Sequence, residues 1–113
     1  MCFGNMSEKS LGFTKSLDAI IVALCRDYDR RRESVARGLC TPRVAMEYKY
    51  LNYRMKEAAC EVAGERYGLT YINEIGKRIG YAGTRVECVS ESVYKIEKLE
   101  VKLAIARRLA LLD

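Results

Sequence analysis

Histidine is absent from the 113 residues, which removes the side chain most often used as a general base near neutral pH. Cysteine occurs five times, at positions 2, 25, 40, 60 and 88, yet no two of these form a Cys-x-x-Cys pair and the number is odd. A zinc site needs closely spaced Cys or His ligands, so the expectation is reduced, mostly buried thiols. A glycine loop that cradles phosphate ahead of a helix is also missing, as is a nucleophile elbow. The carboxylates are scattered in i,i+4 surface patterns. These absences predict a protein that is not an enzyme, with no catalytic residue, metal or cofactor.

Long apolar runs are lacking too. No stretch approaches the roughly 18 apolar residues of a membrane span, and Met1 to Ser16 has no signal-peptide h-region. The reading is a cytoplasmic protein with no membrane partner. Proline occurs once, at Pro42, and glycine is sparse, while Ala, Leu, Glu, Lys and Arg are plentiful. That balance favours helices, and the predicted class is all-α. The length allows one domain with one modest core. The net charge of +5 suits a polyanionic partner such as nucleic acid, although many proteins carry this charge with no such partner.

Along the chain, residues 1–15 show no steady period and read as a flexible N-terminal arm. A single helical domain is expected over 16–113. Its first helix runs from an N-cap at Ser16 to about Arg37, with Gly38 as the stop. Leu17, Ile20, Ile21, Leu24, Tyr28 and Val35 form its apolar stripe. The arginines at 30, 31 and 32 are interleaved with Asp27, Asp29 and Glu33, with Asp27 and Arg31 spaced as an i,i+4 pair. That favours a solvated face over a phosphate-binding patch. Thr41-Pro42 is a helix-start signal. The second helix extends to about Arg66 and closes an antiparallel hairpin over 16–66. Tyr48, Tyr50 and Tyr53 lie among basic residues, a pattern able to stack on bases. Tyr48 in the core with the other two at its boundary is the favoured reading. Glu57, Glu61 and Glu65 form an acidic ridge expected to face away from phosphate.

The informative stretch runs from Ile72 to Val89, within a helix-turn-helix and long C-terminal helix expected over 69–112. The third helix should span about Thr70–Ile79, with helix resuming from Thr84 to Leu112. Ile75 and Ile79 serve as anchors of one helix, and Val86 and Val89 as anchors of the next. Gly76 is the small contact residue and Gly80 the left-handed turn glycine. The C-terminal stretch carries Val93, Ile96, Leu99, Leu103, Ala106 and Leu109 as a broad packing face.

The segment Glu74 to Val86 (EIGKRIGYAGTRV) resembles the helix-turn-helix of bacterial and phage transcription regulators. Gly68-Leu69-Thr70-Tyr71 with Glu74-Ile75-Gly76 is similar to DNA-binding region 4 of sigma-70-type factors, with one additional residue between them. The tail from Ser90 resembles the end of phage late-gene regulators of the ArpU and RinA kind. The likeness covers about the last half of the chain, and Ala82 departs from it where Ser or Thr is usual. It implies double-stranded DNA as partner, read by a helix N-terminus in the major groove with basic groups on flanking phosphates.

Two registers compete. In one, Thr84 opens the recognition helix, with Arg85, Glu87 and Cys88 near the groove. In the other, Gly83 to Cys88 is a short supporting helix, and Ser90 caps a recognition helix bearing Glu91, Tyr94, Lys95 and Lys98. The nucleic-acid-binding set spanning both is Lys77, Arg78, Tyr81, Thr84, Arg85, Glu87, Ser90, Tyr94, Lys95 and Lys98. The hairpin would then supply homodimer or RNA polymerase contacts. The competing reading is a small phage-type protein-binding module or inhibitor that keeps the helix-turn-helix as scaffold. A regulator should gather Lys77, Arg78, Arg85, Lys95 and Lys98 on one face, whereas an interaction module should expose an apolar patch.

Overall fold

The computed structural model describes residues 12–112, and most of the expected N-terminal arm lies outside the described residues. The described chain is all-helical, in the order α1 (Lys15–Arg26), α2 (Tyr28–Ala36), α3 (Pro42–Lys77), a 3-10 turn (Tyr81–Gly83) and α4 (Glu91–Arg108). No helix is long and apolar enough to cross a membrane among the described residues.

The last residues of the expected arm belong to the fold. Phe13 is buried, and Thr14, not Ser16, caps α1 by accepting from the Leu17 N–H at 3.1 Å. The expected first helix is divided at Asp27, whose backbone stays close to helical. Gly38 ends it as expected, at φ 66°. The Gly38 and Leu39 N–H groups return to the Val35 and Ser34 carbonyls, the double bond of a Schellman turn. Thr41 then caps α3, with Pro42 in its first turn.

α3 is longer than expected and bent. Gly64 interrupts it at φ 84°, ψ 166°, a backbone region open essentially to glycine alone. The bend brings the two arms together: a Cβ on Gly68 would lie 2.4 Å from Cys60 Sγ. The first arm runs antiparallel to α2, with Tyr28 opposite Asn52 and Arg30 opposite Tyr48. The second arm lies against α1 at Gly76, where a Cβ would meet the Arg26 nitrogen at 2.6 Å. Gly76 is therefore the small contact residue that was expected, but the partner is α1 rather than a following helix.

The core joins Ile21 and Val22 of α1, Met55, Ala58 and Ala59 of the first arm, Tyr71, Ile72 and Ile75 of the second, and Val101 and Ile105 of α4. Lys102 and Asp18 tie α4 to α1 at 2.8 Å. Arg108, at the end of α4, is ion-paired with Glu57 and Glu61, so two members of the acidic ridge are partly neutralised.

The expected face of α4 is buried from Leu99 onward, with Leu103 and Ala106 in the core and Leu99 and Leu109 packed against it, but the first turns differ. Val93 is 51% exposed and Ile96 is exposed as well, whereas Tyr94, Val101 and Ile105 are buried. The cause is polar: the Tyr94 hydroxyl and the Lys98 ammonium both reach inward to the Ile79 carbonyl, at 3.1 and 2.6 Å.

Candidate nucleic-acid interface

The centre of this region is a buried carboxylate. Glu74 is 1% exposed on an otherwise apolar face, next to Ile75 and one turn after Tyr71. An ionised carboxylate accepts hydrogen bonds only, and three donors surround this one. Thr84 Oγ1 and Tyr94 OH donate to Oε1 at 2.6 and 2.8 Å, and the Arg85 backbone N–H donates to Oε2 at 2.8 Å. One side chain therefore joins the second arm of α3, the loop after it and α4. The Tyr94 ring stacks on Tyr71 at 5.6 Å, and Tyr81 leans on it from the loop. Burial, with the bond to Glu74 second, pushes the Tyr94 hydroxyl up to about 12.

Neither expected register is formed. Thr84 to Val89 is irregular rather than helical, with Thr84 extended and Cys88 left-handed at φ 57°. Three bonds hold it so: Glu74 takes the Arg85 N–H, Thr84 Oγ1 accepts from the Val86 N–H at 3.0 Å, and Tyr81 OH donates to the Val89 carbonyl at 2.8 Å. Val86 is buried, so it anchors the loop, but not as part of a helix. The supporting helix Gly83–Cys88 is absent for the same reason, and only the 3-10 turn precedes it. The second register keeps one element: Ser90 accepts from the Val93 N–H and caps α4. Gly80 is not the left-handed residue of the turn. That conformation falls on Arg78, at φ 56°, whose N–H and that of Ile79 return to the Ile75 and Glu74 carbonyls.

The ten expected contact residues are dispersed. Lys77, Arg78, Tyr81, Arg85, Glu87, Ser90 and Lys95 are exposed. Arg85 makes no ion pair with a described carboxylate, while Lys95 pairs with Glu91 at 2.8 Å and Glu87 with Arg66 at 3.6 Å. Lys77 lines a groove against α1 and α2. Tyr94, 1% exposed, is a core residue closed to nucleic acid. Thr84 is committed to Glu74, and Lys98 to the Ile79 carbonyl, where burial draws its ammonium pKa down. Of the five cations expected on a single face, Lys77, Arg78, Arg85 and Lys95 are exposed, and Lys98 is drawn inward.

A second buried charge stands in the hairpin. Arg31 is 3% exposed and donates to Asn52 Oδ1 at 2.7 Å, to the Leu24 carbonyl at 2.8 Å and to the Met55 sulfur at 3.2 Å. Its Asp27 partner lies at 3.5 Å. The solvated-face reading therefore holds for Arg30 and Arg32 but not for the arginine between them. Position 31 falls on the Leu24, Tyr28, Val35 stripe, and that placement is the signal that marks it as buried.

Comparison with protein-family models, curated proteins and solved structures gives no match to this chain.

Proposed function

We propose that this chain is a DNA-binding transcription regulator of the phage or mobile-element kind, which sets the N-terminal end of α4 into the major groove of double-stranded DNA. The observation that carries this reading is the Glu74 clamp. It fixes a helix, a loop and the Ser90-capped start of an 18-residue helix as one unit. The first turns of α4 leave Glu91, Ser92 and Lys95 exposed, and the preceding loop exposes Arg78 and Arg85. Backbone and guanidinium contacts to phosphate position such a unit, while the helix N-terminus meets base edges. The test is fluorescence anisotropy with random-sequence duplex DNA over a salt series. Binding at about micromolar Kd that weakens steeply with salt is the expected result. No binding at low salt contradicts it.

One observation favours a second reading, a protein-binding module. Met46, Tyr50 and Tyr53 stand at i, i+4 and i+7 on α3 and are 72%, 62% and 61% exposed. Tyr53 donates to Glu57 at 2.9 Å, so the apolar stripe borders the acidic ridge. A polar-rimmed apolar stripe of this kind suits RNA polymerase, another protein or a second copy of the chain. Sedimentation of the isolated protein, with Tyr50→Ser as the control, separates self-association from a monomer.

A further inference from the structure

A groove of about 410 Å³ opens where α1 meets α2 and both lie against α3. Its rim carries cations from four places: Arg26 at the end of α1, Arg32 on α2, Lys56 on the first arm of α3 and Lys77 at the end of the second. The one carboxylate there is Asp29, which sits 3.3 Å from Arg32. Lys56 and Lys77 make no ion pair with a described carboxylate, and the Arg26 guanidinium donates to the Gly76 carbonyl at 3.4 Å. The net excess is about three positive charges around one hollow. Leu69 and Ile72 contribute apolar surface to it, beside the half-buried Tyr28 ring.

We propose that this groove is a binding site for a small phosphorylated molecule of nucleotide size, carrying at least two negative charges. Three unneutralised cations converging from separate elements fit a di- or triphosphate better than a singly charged anion. The volume lies in the range that encloses such a ligand, and the apolar patch with Tyr28 provides a surface for a planar ring. The arrangement is preorganised, because Gly76 allows the α1 backbone to approach the second arm closely and thereby sets Arg26 and Lys77 on one rim. The site is separate from the exposed start of α4 and does not depend on the DNA reading.

The test is isothermal titration of the full chain with ADP and with pyrophosphate, without magnesium. The expected result is binding of ADP with a Kd of about 100 µM or tighter, weakened about tenfold in each of Lys56→Gln and Lys77→Gln. Both residues are exposed, so these variants keep the fold. Lys15→Gln, an exposed lysine away from the groove, is expected to leave the affinity unchanged. No ADP binding up to about 1 mM overturns the proposal, and so does equal weakening by Lys15→Gln, which would mark diffuse charge attraction. A duplex DNA competitor separates the two sources of phosphate. Retention of ADP at saturating duplex supports a small-molecule site. Displacement by duplex assigns the groove to the nucleic-acid backbone and overturns it.

Discussion

Arg31 and Glu74 are both buried charges on helices, and they are satisfied in opposite ways. Arg31 reaches a carbonyl, an amide oxygen and a sulfur, and keeps a counter-ion in the half-exposed Asp27. Glu74 has no ion pair with a described residue, and its charge is met by two hydroxyls and one backbone N–H. The guanidinium mends a hairpin whose helices already pack along their length. The carboxylate instead holds an irregular loop that has few regular backbone bonds of its own. A buried charge counts for more where the chain around it has less other support.

That contrast makes the first prediction, which carries the largest expected effect. Glu74→Ala strands the Thr84 hydroxyl and the Arg85 N–H, leaves Tyr94 only the Ile79 carbonyl, and is expected to lower the unfolding free energy by about 3–5 kcal/mol. Arg31→Met retains much of the buried stem and is expected to cost about 1–3 kcal/mol. Urea melts of both variants check the order, and a larger loss for Arg31→Met breaks the comparison.

The next effect concerns two positive-φ positions. Gly64→Ala places a Cβ at φ 84°, ψ 166° and is expected to cost about 1–3 kcal/mol. Arg78→Gly relieves a left-handed arginine and is expected to gain about 1 kcal/mol. Thermal melts should therefore move in opposite directions. If Arg78→Gly gains stability and loses DNA affinity, then Arg78 is kept in a strained conformation for its charge.

The smallest effect is a pH response in the hairpin. The side-chain bond from Arg30, which lies 2.5 Å away, holds the Asp27 carboxyl below its ordinary value of 3.8. A depressed carboxyl contributes stability that is complete above pH 3.8 and is lost as the pH falls through the folded value. Because Asp27 is 39% exposed, the contribution is set at the level of a solvated pair, about 0.2–1 kcal/mol. Asp27→Asn is expected to flatten the acid limb of the stability curve below about pH 4 by that amount, leaving the region above pH 5 parallel to the parent.

How far the sequence was legible follows the same division. The caps at Thr41-Pro42 and Ser90 and the stop at Gly38 are local devices, so they can be read without knowing the fold. The break within α3 was expected near Tyr67 and Gly68 but falls at Gly64, because the close Cys60–Gly68 contact requires the bend between them. Thr84 to Val89 has a helical spacing of apolar residues, yet a carboxylate ten residues earlier ties down Thr84 and Arg85 and keeps its start out of a helix. At the start of α4, Val93 and Ile96 are exposed and Tyr94 is buried instead, because Tyr94 and Lys98 look like surface residues until their partners, Glu74 and the Ile79 carbonyl, are in place. Most local devices are readable, although the α1 cap falls on Thr14 and the left-handed turn residue is Arg78, and contacts made at long sequence separation are not.

The most direct test of the DNA reading is an NMR titration of the isotopically labelled full chain with a short duplex, followed residue by residue. Amide shifts confined to Arg78, Arg85 and the Ser90 to Ile96 stretch are expected, with Met46 to Tyr53 unmoved. Shifts centred on Met46, Tyr50 and Tyr53, or none at low salt, would contradict it.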